Sequence, residues 1–100
     1  MSTKDDVFSI LREKLPYLID EFGIKRIGVF GSYSTGIPNS NSDVDLVAEF
    51  EKPIGFKFME FSEYIEKLLD KKTDILTPEG IKAIRNKKIA DEIKRTVIYV

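Results

Sequence analysis

A chain of 100 residues, of which 42% are hydrophobic and 33% charged, is long enough for one domain with a modest core and too short for two. The formal net charge of -1 disfavours a protein whose main task is to coat nucleic acid, because such proteins are strongly basic. Cysteine and histidine are both absent from the sequence, which excludes disulfides, thiolate metal sites, cysteine nucleophiles and serine–histidine triads.

The N-terminal stretch MSTKDDVFSILREK interleaves charges with apolar residues, so we expect neither a secretory signal nor a membrane span. We therefore expect a cytoplasmic protein. Apolar residues recur at helical spacing over residues 7–22, and Gly23 is placed to end that helix. Pro16 should either kink this helix or begin a second one, because it has no N–H to donate and its ring crowds the preceding turn.

Three short apolar segments have the composition of strands. Residues 25–30 (KRIGVF) predict a largely buried strand that runs directly into Gly31. Residues 43–50 (DVDLVAEF) predict a second strand, whose alternation puts its two aspartates on one face. Residues 72–77 (KTDILT) predict a third.

Helical patterns separate and follow these strands. Residues 56–71 carry an apolar stripe opposite a charged face. Pro78 suits the first turn of another helix, and isoleucines over residues 81–93 indicate one or two amphipathic helices. The closing TVIYV is either a helix end or a short strand. The sequence therefore predicts a small α/β domain, with a few strands and helices beside them.

The polar segment GSYSTGIPNSNSDVDL, residues 31–46, is the candidate functional region. A phosphate-binding Walker A loop is excluded, because Ile37 and Pro38 stand where that loop requires lysine and a hydroxyl. An EF-hand calcium loop is excluded as well, because Val44 stands where the loop needs glycine and Phe50 where it needs a bidentate glutamate.

The remaining pattern is a strand, then Gly-Ser, then ten residues, then Asp-Val-Asp at the head of the next strand. Gly31 would let a ligand approach the backbone, and the Ser32 hydroxyl with loop amides could bind phosphate oxygens. Asp43 and Asp45 would lie about 6.6 Å apart along one strand face, close enough to share a pair of magnesium ions. Such ions, about 4 Å apart, can hold the attacking and leaving oxygens at phosphorus. Asp74, the one acid in KTDILT, is the candidate third carboxylate.

Aspartate and asparagine near a turn are most often turn formers or caps, so an isolated Asp-x-Asp pair would carry little weight. Here the Gly-Ser at a strand exit, the spacing and a separate strand aspartate occur together in one short chain, which favours a site. If three carboxylates do lie close together without metal, they repel one another, and we expect the pKa of at least one to rise.

The segments RIGVFGSYSTG, SDVDLVAEF and KTDILTPEGIK resemble the minimal nucleotidyltransferases of the DNA polymerase beta superfamily, including antitoxin members that partner HEPN-domain toxins. The resemblance runs from about residue 24 to the C-terminus, and the Gly-Ser, ten residues, Asp-x-Asp pattern is that family's defining motif. It implies one minimal nucleotidyltransferase domain over residues 1–100, with a short mixed β-sheet flanked by helices.

Position by position, the resemblance implies that Gly31 and Ser32 bind the triphosphate of ATP. It implies that Asp43, Asp45 and Asp74 are the catalytic acids that hold two Mg²⁺ ions, with Asp74 also helping to activate the acceptor hydroxyl. That hydroxyl would attack the α-phosphorus and pyrophosphate would leave. In the antitoxin relatives the acceptor is a tyrosine of the HEPN partner, which receives AMP.

One position departs from the family. Many relatives have arginine before the second loop glycine, where this chain has Thr35 before Gly36; Lys72 and Arg26 are candidates to replace that charge. The departure leaves open a non-catalytic antitoxin that neutralises its partner by binding alone. A different acceptor, a small molecule or an RNA end, is a third alternative, and the near-neutral charge disfavours RNA. The apolar C-terminus and open sheet edges are compatible with a homodimer or hetero-oligomer.

Overall fold

The computed structural model describes residues 4–35 and 43–100, with the side chains of residues 4, 5 and 35 left out. Over these residues the chain alternates helices with short strands. The elements in chain order are α1 (Lys4–Phe22), β1 (Ile24–Phe30), α2 (Ser32–Thr35), β2 (Val44–Phe50), α3 (Lys57–Leu69), β3 (Thr73–Leu76), α4 (Pro78–Lys82), α5 (Lys87–Thr96) and β4 (Ile98–Tyr99).

The four strands form one mixed sheet in the order β3-β2-β1-β4. Strand β1 runs antiparallel to both β2 and β4, whereas β2 and β3 are parallel. The parallel pair is joined through α3, as a parallel connection requires a crossover. The predicted α/β class and the short mixed sheet flanked by helices are both confirmed.

Helix α1 is continuous through Pro16, so the alternative in which a second helix begins at that proline is wrong. The helix ends as predicted at Gly23, which has a φ of +70° and donates its N–H to the carbonyl oxygen of Ile19 at 3.0 Å. A left-handed residue at this place closes the last turn, and glycine adopts that conformation without steric cost. Within the described residues, no helix combines the length and apolarity that crossing a bilayer would take.

Both faces of the sheet are covered. On the first face, α1 and α3 pack over alternate residues of β1 and β2, and buried members of this core include Leu11, Leu18, Ile27, Val29, Leu46, Ala48, Phe61 and Ile65. On the second face, α4 and α5 pack over the other alternate residues, and this smaller core contains Phe30, Val47, Ile81 and Ile93. Strand residues alternate between faces, which is why neighbouring residues of one strand enter different cores.

Several predicted boundaries move by one or two residues. The second strand begins at Val44, so Asp43 precedes it. The long helix predicted over residues 56–71 is α3, and the third strand is limited to β3. The C-terminal pattern forms two helices, and the TVIYV segment supplies both the end of α5 and strand β4.

Strand β4 lies on the edge of the sheet beside Gly28, which is the β1 partner of Tyr99. A Cβ atom added to Gly28 would lie 2.7 Å from Cγ2 of Val97 and 2.9 Å from Cδ1 of Tyr99. These distances are well inside van der Waals contact. Glycine at this position therefore lets the chain after α5 cross close over β1 and pair with it.

Candidate active site

Asp45 lies at the centre of the candidate site. The parallel register of β2 and β3 pairs Asp45 with Asp74, and the antiparallel register of β1 and β2 pairs Asp45 with Phe30. Because paired residues share a sheet face, these three side chains project from the face over which α4 and α5 pack. The sheet therefore brings Asp45 and Asp74 together at the margin of the second core, as predicted.

The position of Asp74 depends on how β3 begins. Asp70 closes α3 in a left-handed conformation with a φ of 53°. Two residues later the carbonyl oxygen of Lys72 accepts from the Val44 N–H at 3.0 Å, and the Glu66 carboxylate accepts from the Thr73 N–H at 3.1 Å. These bonds tie the first residues of β3 to both β2 and α3, which fixes the register of Asp74 against Asp45.

Asp43 is half-buried and lies one residue before β2, next to the carboxylates of the sheet. Burial raises the pKa of Asp45 above its ordinary value, and the negative charges of Asp74 and then Asp43 raise it further. The expectation that one carboxylate pKa would rise is thus confirmed. Desolvation is the largest single cause, and the repulsion that the sequence suggested adds to it.

Gly31 lies against the Asp45 carboxylate. It has a φ of +74°, and a Cβ atom added there would lie 2.5 Å from Oδ2 of Asp45. Any other residue would both strain the backbone and occupy the space beside this carboxylate oxygen. Ser32, half-buried, opens α2 directly after this glycine.

Two residues of the loop that the sequence analysis did not single out hold this turn in place. The backbone N–H and the side-chain hydroxyl of Ser34 both donate to the carbonyl oxygen of Gly31, each at 3.1 Å. Tyr33 is 1% exposed and packs in the first core. The signal in the sequence is a large aromatic residue within an otherwise small and polar segment, which is typical of an anchor.

The donors at the site suit magnesium. Mg²⁺ prefers oxygen ligands and is commonly bound through one or two carboxylates, and a cation would relieve the repulsion at Asp45. Over residues 4–35 and 43–100, no three acidic side chains are gathered tightly enough to hold a metal ion as they stand. The chemistry of Asp43, Asp45 and Asp74 therefore fits Mg²⁺, while their joint coordination of it stays a prediction.

The loop between Gly31 and the aspartates is described only in part. Residues 36–42 and the side chain of Thr35 lie outside the described residues. Of the two candidates for replacing the family's arginine, Arg26 is engaged elsewhere: its guanidinium lies 4.1 Å from the ring centroid of Tyr99 and pairs with Glu49 at 3.4 Å. Lys72 is exposed, at the start of the segment that carries Asp74.

The mixed sheet with two paired aspartates beside a positive-φ glycine fits the catalytic domain of a nucleotidyltransferase. Residues 9–99 match the nucleotidyltransferase domain family, and the chain belongs to that family. It is 39% identical to the protein adenylyltransferase MntA of Thermococcus cleftensis, over all of this chain and 98% of that protein. It is 35% identical to a candidate protein adenylyltransferase of Methanocaldococcus jannaschii, over the full length of both chains.

Solved structures share the fold. The structure of a candidate minimal nucleotidyltransferase superposes with a TM-score of 0.73 at 23% identity, covering 97% of this chain and 95% of the other. A toxin–antitoxin structure with AMP-PNP gives 0.61 at 18% identity, covering 96% and 70%. A complex of a tri-AMPylated Shewanella oneidensis HEPN toxin with an MNT antitoxin gives 0.53 at 15% identity, covering 96% and 66%. The predicted family, fold and enzyme class are confirmed.

Proposed function

We propose that this protein is a Mg²⁺-dependent protein adenylyltransferase that acts as an antitoxin by transferring AMP from ATP to a tyrosine of a HEPN toxin. The observation that carries the proposal is the strand register that sets Asp45 beside Asp74, with Gly31 against the Asp45 carboxylate. The names of the full-length relatives support the reaction, and the toxin–antitoxin complexes of the same fold support the partner and the ATP donor.

In this proposal Gly31 and Ser32 bind the triphosphate. The hydroxyl of the half-buried Ser32 and the backbone beside Gly31 offer polar contacts to phosphate oxygens. The missing Cβ of Gly31 lets the Asp45 carboxylate lie against that backbone. The carbonyl oxygen of Gly31 accepts two hydrogen bonds from Ser34, so the backbone at Gly31 is already ordered before a ligand binds. Such preorganisation lowers the cost of aligning the reacting groups.

Asp43, Asp45 and Asp74 would hold two Mg²⁺ ions, which supply charge neutralisation at the phosphates and lower the pKa of the acceptor hydroxyl. The acceptor oxygen forms a bond to the α-phosphorus while the bond from that phosphorus to the bridging oxygen breaks, and pyrophosphate leaves with the electron pair. Asp74 is exposed at the edge strand, where an acceptor on another protein can reach it, and it receives the hydroxyl proton.

A second candidate function is neutralisation by binding alone, and the absence of arginine before Gly36 favours it. A loop cation would offset part of the triphosphate charge, so a chain without one has lost an attraction for the nucleotide. A small-molecule or RNA acceptor is the third candidate. The formal net charge of -1 disfavours RNA, and the full-length match to protein adenylyltransferases disfavours both. A cytoplasmic location stays a prediction.

Substitution of Asp43 and Asp45 distinguishes AMP transfer from neutralisation by binding alone. The double variant Asp43→Asn/Asp45→Asn, co-expressed with the cognate HEPN toxin, should fail to restore growth while still binding the toxin in a pull-down. Asp20→Asn, an exposed substitution of the same kind on α1, should restore growth like the unchanged protein. Full neutralisation by the double variant would instead establish occlusion. We also expect the unchanged protein to leave the toxin unmodified when EDTA removes Mg²⁺.

A further inference from the structure

A cavity of about 310 Å³ lies next to the candidate site, between the end of β1 and helix α5. Phe30 and Gly31 line it from the sheet side, and Ile89 and Ile93 line it from the helix side. It therefore adjoins the carboxylate site at Gly31, whose missing Cβ faces Oδ2 of Asp45. Neither the sequence motif nor the roles proposed above use this cavity.

The lining of the cavity combines apolar walls with polar groups. Lys88, Glu92 and Thr96 line it together with the apolar residues of the walls. Glu92 and Lys88 are exposed and of opposite charge, so they offer an acceptor and a donor. Apolar walls with a few polar groups, in a volume at the lower end of the range for small-molecule sites, suit a flat heteroaromatic ring that carries donors and acceptors on its edge.

The position of the cavity in the sheet indicates which part of the reaction it serves. In the strand order β3-β2-β1-β4, Asp74 lies on one side of Asp45 and Gly31 on the other. The proposed acceptor-activating group is thus on the β3 side, and the cavity is on the β1 side. Neighbouring strands lie about 4.8 Å apart, so the two are separated by roughly 10 Å across the sheet.

We propose that this cavity binds the nucleoside part of the donor nucleotide, with the base between Ile89 and Phe30 and its polar edge toward Lys88 and Glu92. The inference rests on the proposed function, since it takes the triphosphate to lie at Gly31 and Ser32. The ribose links the base to the α-phosphate, so the base must lie within the length of one ribose from that phosphate. The cavity is the apolar space that borders Gly31. The acceptor hydroxyl then enters from the β3 side.

Isothermal calorimetry with two ligands, Mg-ATP and Mg-tripolyphosphate, tests the assignment. Ile89→Ser removes apolar surface from the cavity wall, and Ile19→Ser is the matched control, because the two isoleucines are 52% and 46% exposed and both lie on helices. We expect Ile89→Ser to weaken Mg-ATP about fivefold to tenfold and to leave Mg-tripolyphosphate unchanged. Ile19→Ser should change neither, and unchanged tripolyphosphate binding also shows that the Ile89 variant is folded.

Three results would overturn the assignment. Mg-ATP affinity within twofold of the unchanged protein would mean that the base lies elsewhere. Equal weakening of both ligands would mean that the substitution acts on the phosphate site. Unchanged Mg-ATP binding with slower AMP transfer to the partner would assign the cavity to the acceptor. Asp45→Asn distinguishes failure of the proposed function, because that variant should weaken both ligands, and no effect on either would reject the carboxylate site itself.

Discussion

Gly31 and Gly23 both have positive φ, at +74° and +70°, yet only Gly31 faces a carboxylate. A Cβ atom at Gly23 would meet nothing within 4 Å, whereas at Gly31 it would lie 2.5 Å from Oδ2 of Asp45. Substituting each of these two glycines therefore separates the effect of backbone strain from the effect of filling the space beside Asp45.

We expect Gly23→Ala to lower the free energy of unfolding by about 1 to 2 kcal/mol, the usual cost of a left-handed L-residue, and to leave activity intact. Gly31→Ala should lower the free energy of unfolding further and reduce AMP transfer by about a hundredfold or more, because the Asp45 side chain must move. Urea denaturation and label transfer from ATP measure the two effects. Equal activity of the two variants would contradict the placement of Gly31 at the reacting groups.

The raised pKa of Asp45 predicts a pH dependence of folding stability. A group whose pKa is higher in the folded than in the unfolded protein holds its proton more tightly when folded, so its ionisation destabilises the fold as pH rises. Asp45→Asn cannot ionise. In the presence of a chelator we therefore expect its Tm to exceed that of the unchanged protein at pH 7, while the difference disappears below the unfolded pKa of about 3.9.

Thermal melts between pH 3 and pH 7 measure this difference. Glu51→Gln, at an exposed acid beyond the end of β2, is the control and should show no such gain. A variant at Asp45 that is less stable than the unchanged protein at pH 7 would mean that the carboxylate makes stabilising contacts. Added Mg²⁺ should raise the Tm of the unchanged protein and not that of Asp45→Asn.

At the scale of single residues, the sequence predicts which residues carry the chemistry better than it predicts their contacts. Asp45 and Asp74 could be predicted as partners because each is an acid within an apolar strand. The close approach of Gly31 to Asp45 could not be predicted, because it depends on how β1 pairs with β2. The support from Ser34 depends on the turn that follows β1, and hydrophobic periodicity carries no information about either.

At the scale of the elements, the joint between α3 and β3 sets the position of Asp74. The Glu66 carboxylate accepts from the Thr73 N–H at 3.1 Å, and the Glu66 carbonyl oxygen accepts from the Asp70 N–H that caps the helix. We expect Glu66→Ala to lower the free energy of unfolding by about 1 kcal/mol and to reduce AMP transfer, because the first N–H of β3 loses its acceptor.

Glu66→Gln keeps an oxygen at the same distance, so it should recover most of the activity and stability. Glu63→Ala, an exposed glutamate on the same helix, controls for the loss of a surface charge and should behave like the unchanged protein. If Glu66→Ala and Glu63→Ala have the same activity, the bond to Thr73 does not position Asp74. Urea unfolding and label transfer are again the measurements.

The elements themselves were predictable where their patterns are long or their composition distinct. The apolar stripe of α3 predicts a helix, and the β-branched residues of β1 and β3 predict strands. Pro16 was ambiguous because a proline can either interrupt or begin a helix, and packing of α1 on the sheet decides between these outcomes. The short β4 depends on Gly28, whose missing side chain becomes meaningful only once β1 and β4 are paired.

At the scale of the whole molecule, the sheet order decides where function lies. Parallel pairing of β2 with β3 and antiparallel pairing with β1 place Asp45 between the segment of Asp74 and the segment of Gly31. The sequence predicted a mixed sheet through a family resemblance and not through its periodicity, because periodicity is the same in parallel and antiparallel strands. Hydrophobic patterns predict burial, and pairing has to come from the packed structure.

The second core explains why the site is open on one side. Helices α4 and α5 pack over Phe30 and Val47 on the Asp45 face, whereas Asp74 on the edge strand is exposed and the cavity forms against α5. Under the proposed function, we expect the acceptor protein to cover the exposed side of the site at Asp74.

The proposed function depends most directly on transfer of an adenylyl group by this chain. The measurement is the intact mass of the cognate HEPN protein, with peptide mapping, after incubation with this protein, Mg²⁺ and ATP. We predict addition of AMP to a tyrosine by the unchanged protein and none by Asp43→Asn/Asp45→Asn. A HEPN protein that forms the complex and keeps its original mass under these conditions would contradict the account.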